Sequence, residues 1–292
     1  MQRKYFIRSV SFILAAFVVY FSMSFILKGS EPTSVKAATI EPVKAATIEP
    51  VKVSKIAGYV PANTYKADAF PLQTFERYVE SSYQAAGLAQ SGLSLETFRE
   101  AVTGYHNMMS AGLLSKEKPL VTVIDFNQSS KKRRLWVIDM EAREVLYNTW
   151  VAHGQGSGGE FATTFSNTPG SYQSSLGFYL TRGTYEGKNG NSLKLEGLDT
   201  GFNTNALQRY IVVHGAAYAN ADGIKVNGRL GRSQGCPALP LDLAQPIIKT
   251  IKNKTLLYID GPSKTYSSSY LDIEQAALCL SMDKKGEDHL QA

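Results

Sequence analysis

An apolar run ending in histidine, Ile211-Val-Val-His-Gly-Ala216, precedes a glycine-rich turn that carries a cysteine, Ser233-Gln-Gly-Cys-Pro237. Residues 209–213 are β-branched and aromatic apart from Arg209, so they read as a strand with His214 and Gly215 at its end. The second stretch resists regular structure. Gly235 admits unusual φ, and Pro237 fixes φ and lacks an N–H. Such a turn presents Cys236 and its neighbouring backbone N–H groups to a cleft. A thiol needs a base to become a thiolate near neutral pH, and His214 is the candidate base.

Other motifs accompany this pair: Val151-Ala-His-Gly154, Ser157-Gly-Gly159, Phe165-Ser-Asn-Thr-Pro-Gly-Ser171 and Ser174-Ser-Leu-Gly-Phe-Tyr179. With His214-Gly215, a spacer over 216–232 and Ser233-Gln-Gly-Cys236, the chain resembles the L,D-transpeptidase (YkuD-like) catalytic domains of bacterial cell-wall enzymes, from about residue 95 to 259. It is most similar to their murein L,D-transpeptidase subgroup. Two departures from the wider pattern are Gln234, where most members have histidine, and the Cys-Pro-Ala sequence after the turn.

The resemblance implies roles. Cys236 is the nucleophile and His214 the acid–base, oriented by the Gly215 carbonyl rather than by a carboxylate. Backbone N–H groups at Gly235 and Cys236, and the Gln234 amide, would face the oxyanion. His153, Arg232, Ser233 and Tyr179 would contact substrate, with Arg232 suited to a carboxylate through its planar fork. The implied substrate is a peptidoglycan tetrapeptide stem, attacked between diaminopimelate and the terminal D-alanine. The acyl-thioester then passes to another stem's amine to give a 3→3 cross-link. Transfer to water, as a carboxypeptidase or cross-link hydrolase, and to a lipoprotein amine are alternatives, as is a catalytically silent wall-binding module.

Charge narrows the partners. The formal net charge is +6, but residues 1–28 hold Arg3, Lys4, Arg8 and Lys28 and no acid. Without these four, the 31 basic residues fall to 27 against 25 acidic ones, a net of +2, so no nucleic-acid face follows from the overall charge. The run Lys131-Lys-Arg-Arg134 reads as a solvated hairpin tip. His153, His214 and Cys236 lack close zinc spacing and neither CxxC nor HExxH occurs, so no metal and no cofactor is expected. The two cysteines, Cys236 and Cys279, could pair in an exported chain, but the apolar neighbours of Cys279 favour a buried free thiol.

Residues 1–28, basic and then apolar, read as a signal peptide or membrane anchor that places the rest on the outer side of the inner membrane. Residues 29–65 hold the repeat Val-Lys-Ala-Ala-Thr-Ile-Glu-Pro, over 35–42 and 43–50, and read as an extended spacer. Helices are expected over 69–88 and 94–114, with Ser94 as N-cap, inside a helical cap at 66–116. Strands are expected over 120–126, 135–140, 145–151, 177–181, 192–195, 210–214 and 255–260, and a helix over 243–252 with Pro246 in its first turn. Many short strands with few helices indicate a mainly β domain at 117–262. The resemblance makes it a β-sandwich-like L,D-transpeptidase fold preceded by a small helical segment. A tail at 263–292 carries a helix over 271–282.

Overall fold

A computed structural model describes residues 69–290. The expected leader and repeat lie outside the described residues. The described residues fall in one compact unit. It opens with helices α1 (Ala69–Ala85), α2 (Leu88–Ser91) and α3 (Leu95–Ser110). The Ser94 side chain accepts the Thr97 N–H at 3.0 Å, capping α3 as its sequence predicts.

Eight strands come next: β1 (Leu120–Asp125), β2 (Leu135–Asp139), β3 (Glu144–Thr149), β4 (Gly177–Gly187), β5 (Gly190–Gly197), β6 (Val212–Gly215), β7 (Ala238–Leu239) and β8 (Leu256–Asp260). They join in the order β3-β2-β1-β8-β4-β5-β6-β7. Most neighbours are antiparallel; β1·β8 and β6·β7 are parallel. Between the strands lie α4 (Ala221–Asn227) and α5 (Leu241–Ile251), and α6 (Ile273–Leu290) closes the chain.

Strand alternation sorts the central residues into two cores. Val121, Val123, Phe178, Leu180, Leu256 and Tyr258 face a layer built by α1, α3 and α6. Their neighbours Ile124, Tyr179, Leu257 and Ile259 face the other way, into a core shared with β5, β6 and α5. A sheet packed on both faces explains why these strands are apolar throughout rather than alternating with polar residues. The expected β-rich sandwich-like fold with a helical segment before it is therefore what the chain adopts. The helical segment shares a core with the sheet. Gly104 of α3 sits against the Phe178 ring so closely that any Cβ there would clash.

Several local expectations are corrected. Helix α5 starts at Leu241, so Pro246 lies inside it and not in its first turn. Strands β4 and β5 run further than expected and form a long hairpin. Arg134, expected in a solvated tip, is fully buried. The short helix α4 is an addition to the expected elements; Asn220 caps it, its Oδ1 accepting the Gly223 N–H at 2.8 Å.

Candidate functional site

Parallel pairing of β6 with β7 brings the two key stretches together. His214 lies opposite Ala238 and Gly215 opposite Leu239, so the turn just before β7 sits beside Val212 and Val213 at the start of β6, next to His214. Within that turn the Ser233 hydroxyl donates to the Cys236 carbonyl at 2.6 Å and accepts the Gly235 N–H at 3.0 Å. Gly235 has φ +124°, and a Cβ on it would lie 2.8 Å from the Gln173 carbonyl. Only glycine suits that conformation and that contact.

Two serines of the loop motifs fasten this turn from behind. The Ser174 hydroxyl donates to the Gly235 carbonyl at 3.1 Å and accepts the Gly154 N–H at 3.0 Å. The Ser157 hydroxyl accepts the Ser174 N–H at 2.9 Å. The 165–176 loop is gathered by Arg209, whose guanidinium donates to the carbonyls of Ser166 and Gln173, each at 2.6 Å.

His214 and Cys236 both line one cleft of about 680 Å³. The Nδ1 of His214 lies 3.0 Å from the Gly215 carbonyl. A carbonyl only accepts, so Nδ1 carries the proton and the lone pair of the neutral ring is on Nε2. Burial, opposed by the Gly215 hydrogen bond and aided by the nearby Lys188 charge, lowers the proton affinity of His214 below the ordinary imidazole value. The Cys236 sulfur lies 3.5 Å from both the Val212 N–H, which donates to it, and the Tyr210 carbonyl, to which the thiol donates. Burial raises the Cys236 pKa, with the Val212 N–H, Arg209 and Lys188 opposing. The resting pair is thus a neutral imidazole and a thiol.

The other expected site residues divide. Gln234 and Arg232 line the cleft, but Arg232 Nη1 already donates to the Gly158 carbonyl at 2.8 Å. Ser233 also borders the cleft, yet its hydroxyl is spent inside the turn. The Gly235 N–H is likewise spent on Ser233, which removes it as an oxyanion donor. Tyr179 is fully buried in the inner core, its hydroxyl donating to the Ser175 carbonyl at 3.0 Å, so it does not reach substrate space. His153 is also fully buried: its Nδ1 lies 2.7 Å from an Arg134 guanidinium nitrogen and its carbonyl accepts the Ser233 N–H at 2.9 Å. It braces the turn from below rather than lining the cleft.

The cleft residues that sequence reasoning missed include Lys188, Arg209, Tyr210 and Tyr218. Lys188 had a signal, since Gly187-Lys-Asn-Gly190 is a two-residue hairpin turn. Tyr210 had none. It adopts φ +56°, unusual for a tyrosine, and so turns its carbonyl to the Cys236 thiol while its side chain is 78% exposed. Among the described residues no group of three or more His, Cys, Asp or Glu side chains could hold a metal ion. Among the same residues no helix is long and apolar enough to cross a membrane.

No curated protein sequence gives a significant match. Solved structures do. An L,D-transpeptidase from Mycobacterium smegmatis aligns at 12% identity and TM-score 0.32, covering 49% of this chain and 59% of its own. The helical cell shape determining protein Pgp2 from Campylobacter jejuni aligns at 13% identity and TM-score 0.35, covering 62% and 64%. An L,D-transpeptidase from Stackebrandtia nassauensis aligns at 13% identity and TM-score 0.31, covering 66% and 93%. The present chain thus spans less than two thirds of the length of the first two. Independently, a family model for the L,D-transpeptidase catalytic domain matches residues 89–259, a span that holds both His214 and Cys236. That match takes in more than half of the chain, and the chain belongs to the L,D-transpeptidase catalytic domain family.

Proposed function

We propose that the chain is a cysteine acyltransferase acting on peptidoglycan tetrapeptide stems. The observation that carries this reading is the convergence of His214 and Cys236 on one cleft, with Nδ1 of His214 held by the Gly215 carbonyl at 3.0 Å. In the proposed reaction Nε2 of His214 takes the thiol proton as the Cys236 sulfur attacks the carbonyl of the residue before the terminal D-alanine. The tetrahedral oxyanion is met by the Cys236 N–H and the Gln234 side-chain amide; one such donor is worth on the order of 3 kcal/mol. Collapse breaks the C–N bond, and His214 returns its proton to the departing amine. The thioester is then attacked by the amine of a second stem. His214 accepts the proton of that amine and returns it to the departing thiolate. The product is a 3→3 cross-link.

Incubating the soluble domain with disaccharide-tetrapeptide and separating the products by mass tests this. A covalent adduct equal to the stem less alanine, and then a dimer, supports transfer to an amine. A tripeptide without dimer assigns water as the acceptor. No adduct under any condition leaves a wall-binding module.

The leader reading carries the rest of the proposal. Residues 1–28 would export the chain, as a signal peptide or inner-membrane anchor, and 29–65 would space the domain from the membrane within the envelope. Recovery of the intact protein as a soluble cytoplasmic species on fractionation would refute it.

A further inference from the structure

The β4–β5 hairpin reaches past the sheet. Strand β8 pairs with β4 only over residues 177–180, and the register of the hairpin shifts between Thr181 and Thr184. Such a bulge bends the strand and redirects the residues beyond it. Beyond Leu193, which still pairs with Val213 of β6, the ladder runs only between β4 and β5 as far as Gly187 and Gly190, and the tip residues Lys188 and Asn189 border the cleft that holds His214 and Cys236.

The cleft has a marked charge asymmetry. Among the described residues three cations line it, Lys188, Arg209 and Arg232, and no aspartate or glutamate does. Two of them are engaged. Arg209 donates to two carbonyls and to the hydroxyls of Ser171 and Ser175, and Arg232 to the carbonyls of Gln155 and Gly158. Lys188 has no hydrogen-bond acceptor and no ion-pair partner among the described residues, and its side chain is exposed to the cleft mouth. It is close enough to oppose protonation of both His214 and Cys236. An ammonium that lines the same cleft as the reacting pair and has no internal partner among the described residues is a site for an anion on the substrate. The proposed stem carries two carboxylates near the attacked carbonyl, that of the residue being expelled and that of the diaminopimelate side chain, and the first is the one that every free-ended stem has.

We infer that Lys188 is the anchor for the C-terminal carboxylate of the donor stem, so that the cleft accepts free-ended stems and rejects bonds inside longer peptides. This inference rests on the stem-peptide reading of the cleft and assigns to Lys188 the carboxylate contact first expected of Arg232. Lysine fits the task, being a flexible point charge that can follow a mobile chain end.

The test separates binding from chemistry. Cys236→Ala is titrated with a tetrapeptide stem and with the same stem as its C-terminal amide, alone and combined with Lys188→Met or Arg232→Met. A third peptide with lysine in place of diaminopimelate removes the other nearby carboxylate. The expected result is that the free acid binds at least about 10-fold tighter than the amide, the usual worth of a charge-assisted contact. That preference collapses to near unity in Lys188→Met, survives in Arg232→Met and persists with the lysine-containing stem. Equal binding of acid and amide overturns the inference. So does a preference that survives Lys188→Met, disappears with Arg232→Met, or is lost with the lysine-containing stem. Turnover by the unmutated protein is scored separately. A Lys188-dependent preference without any turnover keeps the anchor and ends the acyl-transfer reading, whereas turnover of acid and amide alike does the reverse.

Discussion

The Arg134 guanidinium lies 2.7 Å from Nδ1 of His153, and both side chains are fully buried. Arginine only donates, so Nδ1 accepts and His153 is neutral with its proton on Nε2. The same guanidinium donates to the carbonyls of Gln128, at 2.8 Å, and Val151, at 3.1 and 3.2 Å. It thereby ties β2 to the loop beneath the Cys236 turn. Lysine has one charge centre and no planar fork, so Arg134→Lys should not replace it. A loss of about 2–4 kcal/mol is expected in denaturant unfolding, from buried acceptors left unpaired. Stability within 1 kcal/mol of the parent, roughly the level of a surface change, would remove this bracing role.

The pair also sets an acid response. Burial first, and then the Arg134 charge, hold the His153 pKa at about 4. The unfolded chain protonates histidine near about 6.5, so between the two values it binds more protons than the folded one. Stability from His153 is therefore fully present above pH about 6.5 and is lost as pH falls towards 4, by up to about 1.4 kcal/mol per unit. His153→Gln should be less stable than the parent at pH 7 and show a shallower fall on acidification. Parallel curves for the two proteins over that window would contradict the assignment.

How much of the fold and site is legible in the sequence depends on the kind of signal. The Ser94 cap, the β-branched run into His214 and the Gly235 turn are readable because local chemistry dictates them. Tyr179 is not: its strand is covered on both faces, so alternation distinguishes two cores and never identifies a surface. Arg134 sits in a run of four cations, and composition cannot tell which one folds inward. The role of Ser174 depends on three loops meeting, a tertiary fact with no periodicity behind it. For α4 the signals are present, an Asn220 cap and a left-handed Gly228 at φ +67°, but the helix is only seven residues long, too short for its apolar spacing to stand out.

Gly235 gives a sharp steric prediction. Alanine there must adopt φ +124° and bring its Cβ within 2.8 Å of a backbone carbonyl. The strain should cost about 1–3 kcal/mol and displace Cys236, lowering acylation at least about 10-fold. Gly159→Ala is the control, because among the described residues no atom beyond its chain neighbours lies within 4 Å of its Cβ position. If both alanines behave alike in thermal unfolding and acylation, the turn is not held as described.

The resting protonation states predict two different pH profiles. Burial raises the Cys236 pKa, so alkylation by a small neutral reagent should climb through and beyond the ordinary thiol range, with no plateau near pH 7. Acylation by substrate needs neutral His214, whose pKa burial lowers, so its acid limb should fall below about 6.5. A plateau in alkylation at neutral pH would mean a preformed thiolate–imidazolium pair and would sink this assignment.

The two cysteines separate the enzyme reading from a structural one. Both are free, with Cys236 on the cleft and Cys279 buried on α6, where its sulfur accepts from the Gln275 side chain at 3.4 Å. Cys279→Ser should therefore be almost silent in stability and in acylation. Cys236→Ala should abolish acyl transfer, because the other hydroxyl of that turn, on Ser233, is engaged by the Cys236 carbonyl and the Gly235 N–H. Cys236→Ser should be nearly as poor, since a hydroxyl at this site is a far weaker nucleophile than a thiol. His214→Ala should leave the fold intact and slow acylation by roughly 10²–10⁴-fold, the usual worth of a positioned acid–base group. A carbapenem, the substrate mimic that membership of this family suggests, should add its mass to the parent and to Cys279→Ser but not to Cys236→Ala. Intact-protein mass spectra of the three proteins decide the matter. No adduct on the parent, together with equal destabilisation in both cysteine variants, would mean that the thiols serve the fold and not acyl transfer.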